Sequence, residues 1–250
     1  MSASAGGPRW ALVTGGSRGI GRAVALQLAT DGWNVVVNYL QDDRAAEEVA
    51  ACVRARGRSV LIHRANVART EECRELVGRI EAEARPLGGL VHCAALGATS
   101  PALEARPNRW RLAWDTHVGA FLEILARALP ILDPAAGAVA LTSLGAHRVL
   151  PGYASIAAAK GALESVVRYL AAELAARGVN VNAVCGGPVD TASLRSFPTF
   201  EHLDAESRRR PPGRMGRAED IAPVVAFLLS PEARWIRGQV IVADGGFGLS

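Results

Sequence analysis

Tyr153 and Lys160 stand at a spacing that can do acid–base chemistry. Positions i, i+4 and i+7 share one face of a helix, so this pair would aim a phenol and an ammonium into one cleft. A phenol next to an ammonium can hydrogen-bond an oxygen on which negative charge develops, more strongly in the transition state than in the ground state. Ile156, four residues before Lys160, has no proton to give. The small neighbours Ala157, Ala158, Ala159 and Gly161 suggest close packing of the lysine against a ligand. Near the start of the chain, Thr14-Gly15-Gly16-Ser17-Arg18-Gly19-Ile20-Gly21 is a glycine-rich turn. There Gly15 permits a tight turn, Gly19 lets the backbone approach a phosphate, and Gly21 lets helix and strand pack closely. Such a turn binds a pyrophosphate only when a strand precedes it and a helix N-terminus follows.

The pattern supplies that context. Trp10–Thr14 reads as a buried strand and Gly19–Thr30 as a helix ending near Gly32. Further strands are expected at Asn34–Asn38, Ser59–His63, Leu90–Cys93, Ala138–Thr142, Val179–Val184 and Val240–Val242. Helices are expected at Asp42–Arg56, Thr70–Ala84, Arg109–Leu129, Tyr153–Ala176 and Glu219–Leu229. Strands without polar alternation are buried on both faces, so helices must cover both. The expected fold class is therefore α/β, a single doubly wound Rossmann domain with a seven-stranded parallel sheet. It spans residues 9–250, after a flexible N-terminus of residues 1–8. Gly186–Gly213 reads as one long irregular stretch, too long for an ordinary connection, and is expected to act as a substrate lid.

Composition excludes several classes of protein. Half the residues are hydrophobic and 21% are charged, a globular balance. The net charge of +4 comes without a basic block, so no nucleic-acid partner is expected. No run approaches the roughly 18 apolar residues of a membrane span, and no signal peptide is seen. Cys52, Cys73, Cys93 and Cys185 are scattered, which suits neither a disulfide framework nor a metal site. The chain is expected to be cytoplasmic and to hold no metal.

The G-x-x-x-G-x-G spacing resembles that of the short-chain dehydrogenase/reductases. Asn180-Val181-Asn182-Ala183-Val184, Gly187-Pro188-Val189-Asp190-Thr191, Gly238-Gln239 and Asp244-Gly245-Gly246 extend the resemblance over essentially the whole length. It implies a nicotinamide dinucleotide held by Gly15, Ser17, Arg18, Gly19, Ile20, Gly21, Asn38, Asn66, Val67, Ala94, Lys160, Gly187, Pro188, Val189 and Thr191. Asn66 and Val67 would meet the adenine edge, and Thr191 the carboxamide. An acid at the end of the second strand would repel a 2′-phosphate; Asn38 stands there, and Arg18 can supply positive charge, so NADPH is expected. Arg44 is a weaker second contact because Asp42 and Asp43 adjoin it.

Most of the family carries Tyr-x-x-x-Lys. Tyr-x6-Lys, with the Ser-Leu-Gly-Ala…Arg…Leu-Pro-x-Tyr approach, is similar to the enoyl-acyl-carrier-protein reductases, most like their type III branch. In an enoyl thioester, hydride goes to the β-carbon while charge develops on the carbonyl oxygen two carbons away. A tyrosine one helical turn upstream suits that separation. The resemblance implies that Tyr153 polarises the carbonyl and that Lys160 holds the nicotinamide ribose. Ser143 is a third catalytic candidate, binding substrate or satisfying backbone groups. Leu194, Phe197 and Phe200 would cover an acyl chain as the lid. Arg208-Arg209-Arg210 would meet an acyl carrier protein or form a solvated basic turn. The long helices resemble those that build the family's homotetramer. Two departures stand out. His92-Cys93-Ala94-Ala95 replaces Asn-Asn-Ala-Gly, and His117 replaces a helix asparagine. His117 could anchor a water near Lys160 or be a satisfied core histidine. Rival readings are a 3-oxoacyl ketone or imine reductase and a noncatalytic NADP(H)-binding protein.

Overall fold

The computed structural model describes residues 9–97 and 99–249, so the expected flexible N-terminus lies outside the described residues. In chain order the strands are β1 (Trp10–Thr14), β2 (Asn34–Tyr39), β3 (Val60–Arg64), β4 (Leu87–His92), β5 (Leu132–Thr142), β6 (Asn180–Cys185) and β7 (Val240–Val242). The helices are α1 (Gly19–Thr30), α2 (Asp43–Arg54), α3 (Thr70–Glu83), α4 (Pro107–Trp114), α5 (Ala120–Ala128), α6 (Ala154–Glu173), α7 (Ala192–Arg195), α8 (Phe200–Arg209) and α9 (Ala218–Leu228). All seven strands are parallel, in the order β3-β2-β1-β4-β5-β6-β7. The order reverses between β1 and β4, which opens a crevice at their carboxyl ends where doubly wound sheets bind ligands.

Successive strand residues serve opposite faces of the sheet. Leu12, Val36, Leu90 and Ala138 pack with Leu76 and Ile80 of α3, Phe121 and Ile124 of α5, and Leu163 and Val167 of α6. Their neighbours Val13, Val35, Val91 and Val139 pack with Val24 and Leu28 of α1, Val49 and Val53 of α2, and Ile221 and Val225 of α9. The unbroken apolar strands thus have the two helical coats that their burial requires.

Three expectations are corrected. The helix expected over Arg109–Leu129 is not continuous: a π-turn, Asp115–Gly119, separates α4 from α5. There the Ala120 amide bonds back to the Asp115 carbonyl, five residues away. Hydrophobic periodicity does not register one extra residue in a helix, and such turns are frequent at functional sites. Second, 186–213 is not wholly irregular, because it carries α7 and α8. Third, β4 begins at Leu87 and β5 at Leu132, earlier than expected, since Gly88, Gly89 and Pro134 disguise strand starts that pair through a register shift.

Candidate active site

The glycine turn follows β1 and opens α1 as expected. Gly15 and Gly19 take φ of +62° and +54°, where other residues are strained. A Cβ on Gly21 would lie 2.3 Å from the Gly15 carbonyl oxygen, and one on Gly15 2.9 Å from Ala94 Cα. No side chain caps α1, so its first amides are left for another acceptor. They face a cavity of about 480 Å³ lined by Gly15, Ser17, Arg18, Gly19, Ile20, Gly21, Asn38, Asn66, Val67, Ala94 and Thr191. Thr116 lines it too, and its buried hydroxyl has no hydrogen-bond partner among the described residues. Uncapped amides, a cradle that a Cβ would fill and an orphaned hydroxyl fit a dinucleotide pyrophosphate.

Several of these residues also support one another. Asn38 donates to the Ala65 carbonyl at 3.0 Å and accepts from the Gly15 amide at 3.4 Å, so its side chain ties the glycine turn to β3. Asn66 accepts from the Ala68 amide, and Thr191 caps α7. The Arg18 guanidinium is already paired, at 2.6 Å, with Asp42 on the same cavity wall. Arg44 pairs with Glu48 instead of facing the cavity.

A second cavity, about 220 Å³, adjoins the first, and Ile20, Cys93 and Thr191 line both. Tyr153, Lys160, Ser143, Gly187, Pro188 and Val189 meet there. Tyr153 is the residue before α6, with Lys160 two turns along. Burial raises the Tyr153 phenol above its usual pKa, and a hydrogen bond with Ser143 draws it back. The ring is fixed between Gly145, where a Cβ would come within 2.6 Å, and the edge of Phe197, 5.9 Å between centroids. Ser143 also accepts from the Gly145 amide at 3.2 Å, so it serves both backbone and phenol. Ile156 lines the same cavity.

Lys160 is 5% exposed and donates to the Leu141 carbonyl at 2.6 Å. Burial pulls its ammonium down to about 8, against the opposing pull of Cys93, Cys185 and Glu164. Glu164, one turn further along α6 and almost wholly buried, accepts from the Thr142 hydroxyl at 2.6 Å and pairs with His147 at 2.5 Å. This carboxylate fastens the loop that carries Ser143 to the helix that carries Lys160.

His92 links the end of β1 to the π-turn. Its Nε2–H donates to the Thr116 carbonyl at 2.9 Å and its Nδ1 accepts from Thr14, whose oxygen accepts from the Ala94 amide. Burial, and then the Lys160 charge, push its pKa down to about 3, so the ring is neutral. It thereby pins the π-turn to the end of β1. His117, on that turn, is 1% exposed and lines the second cavity, and a backbone hydrogen bond at Leu96 acts on its ring. Burial and Lys160 hold it neutral.

The residues expected in a lid divide. Leu194 and Phe197 line the cavity, whereas Phe200 packs beneath the Arg195 guanidinium in a cluster with Leu203, Met215 and Phe247. Leu144, Leu150, Leu203 and Phe247 line the cavity without having been singled out in the sequence. Their spacing carries no signal, because they come from three separate segments. Arg208 pairs with Asp204, and Arg210 sits against Phe247, so two of the three consecutive arginines are engaged within the chain.

A family model described as enoyl-(acyl carrier protein) reductase matches residues 15–248. The chain is an oxidoreductase of the short-chain dehydrogenase/reductase family. Among its relatives is 1-cyclohexenylcarbonyl-CoA reductase of Streptomyces collinus, 36% identical over 95% of this chain and 86% of the relative. Another is the 3-oxoacyl-[acyl-carrier-protein] reductase FabG of Staphylococcus epidermidis, 34% identical over 94% and 97%. A solved short-chain dehydrogenase from Burkholderia cenocepacia, in complex with NADP, superposes with a TM-score of 0.89 at 33% identity, covering 97% of this chain and 98% of that one. Among the described residues, no helix is long and apolar enough to cross a membrane.

The Lys160 environment carries a stability prediction. A lysine whose pKa falls from 10.5 in the open chain to about 8 when folded costs stability, fully so below pH 8. The cost fades as pH rises to 10.5, where the unfolded chain also loses its proton. Lys160→Met should therefore melt higher than the parent at neutral pH, with the gap closing in alkali, while turnover is lost. Melting curves across pH, beside a turnover assay, check both halves.

Proposed function

We propose that this protein is an NADPH-dependent reductase of the carbon–carbon double bond of an enoyl thioester. The observation that carries the proposal is a tyrosine seven residues before Lys160 in the same cavity, with Ile156 at the nearer position. The description of the matching family model and the name of the Streptomyces relative support it; the name of the Staphylococcus relative supports the ketone alternative. The NADP complex of the Burkholderia structure supports the cofactor.

The bound cofactor supplies hydride. Gly15, Gly19 and the open amides of α1 hold its pyrophosphate, and Lys160 holds its ribose hydroxyls. Tyr153 hydrogen-bonds the thioester carbonyl and stabilises the enolate oxygen that forms when the β-carbon is reduced. Lys160 lies on the same side and favours negative charge at that oxygen. Ser143 orients the phenol. Cys93, also in the cavity wall, has its thiol pushed up to about 12 by burial, which keeps it protonated beside an electrophilic alkene.

The acyl carrier is coenzyme A or an acyl carrier protein. Trp110, Trp114, Leu122 and Tyr169 remain exposed on and beside the long helices. They support self-association there, read as a homotetramer, and sedimentation tests it. The reading also places the enzyme in the cytoplasm.

Purified protein should oxidise NADPH with crotonyl thioesters, and Tyr153→Phe should lower kcat by about a hundredfold or more. Consumption with 3-oxoacyl thioesters alone would overturn the proposal in favour of a ketoreductase. Asp42→Asn should free Arg18 for the 2′-phosphate and lower the KM for NADPH by a factor of about two to five, the scale of an exposed ion pair. The gain should shrink with added salt.

A further inference from the structure

We propose that the segment after β7, residues 244–249, is the end wall of the substrate cavity, and that Phe247 limits the acyl group to a short or compact one. This rests on the enoyl-thioester reading and narrows it.

Phe247 is 8% exposed and lines the cavity with Leu144, Leu150, Leu203 and Phe197. The segment is fastened on three sides. Arg210, just past the end of α8, stacks its guanidinium 4.6 Å from the Phe247 ring and donates to the Phe247 carbonyl. Arg148, from the loop before Tyr153, donates to the Gly248 carbonyl. The Asp244 carboxylate accepts from the Gly246 and Gly248 amides at 2.9 and 2.7 Å. Gly187, at φ +63°, lets Asp244 close in, since a Cβ there would lie 2.6 Å from the Asp244 Cβ. The ring is thus held jointly by the lid, the catalytic loop and the turn after β6.

Volume sets the size of the occupant. A cavity of roughly 150 Å³ accepts a benzene ring, and this one is about 220 Å³. The part lined by Ile20, Cys93 and Thr191 is common to the first cavity and would be shared with the cofactor ring. What remains admits an acyl group of a few carbons. Around Phe247 the walls are mostly hydrocarbon, from Leu144, Leu150, Phe197 and Leu203, so a carbon group is favoured there, and an extended chain would have to displace Phe247 from Arg210.

The test compares crotonyl- and dodecenoyl-coenzyme A in the parent, in Phe247→Ala and in the milder Phe247→Leu, with NADPH binding as the check on folding. The parent should favour crotonyl. Phe247→Ala should raise kcat/KM for dodecenoyl relative to crotonyl by about tenfold or more. Phe247→Leu should move the ratio the same way by less, and it carries the test if the alanine variant does not fold. A parent that reduces both equally well, or a ratio that stays fixed in variants that bind NADPH, overturns the inference. If the parent reduces only 3-oxoacyl thioesters, the enoyl reading fails, while the same two chain lengths in 3-oxo form still decide whether Phe247 is the wall.

Discussion

Lys160 is a cation held almost out of water, and the site is arranged around the cost of keeping it there. Removing an ammonium from solvent costs several kcal/mol unless it is paired. Among the described residues it donates to the carbonyl of Leu141, and Glu164 acts on it from one turn away. Burial and the lysine itself keep His92 and His117 neutral, so neither ring adds a competing positive charge. A fixed, buried positive charge in the wall of the second cavity favours any reaction that builds negative charge on a nearby oxygen.

The fold puts the charge there by elementary means. Parallel strands end together, and the order reversal between β1 and β4 leaves a gap at their carboxyl ends. The glycine turn fills one side of that gap with free amides. The other side is filled by α6, whose first residues bring Tyr153 in beside Ser143 and whose second turn brings Lys160. His92 braces the floor between β1 and the π-turn. The His117 ring and the Thr116 hydroxyl, the latter without a hydrogen-bond partner among the described residues, lie on that same π-turn, one residue lining each cavity. A buried polar group left unpaired is costly.

The sequence revealed most where chemistry follows from local pattern. The glycine turn, the seven apolar strands and the helical phase of Tyr153 and Lys160 depend on neighbours a few residues away, and each has its expected place. Features built from distant segments were not legible. The π-turn shifts a helix by one residue without altering its composition. The pairing of Arg18 with Asp42 needs β2 to end beside the glycine turn. The Glu164–His147 contact and the seating of Phe247 under Arg210 join residues far apart in the chain. Phe200 has the right character for the lid but packs behind it, because α8 turns that ring toward Met215 and Leu203.

In the proposed reaction, charge appears on an oxygen remote from the carbon that receives hydride. Reduction of a crotonyl thioester with NADPH deuterated at the transferring position tests this most directly, with the product analysed by NMR. The account predicts deuterium at the β-carbon of a saturated thioester and a solvent proton at the α-carbon. Deuterium found only on the carbinol carbon of a 3-hydroxyacyl product, made from the 3-oxo substrate while the enoyl thioester goes unreacted, would contradict it.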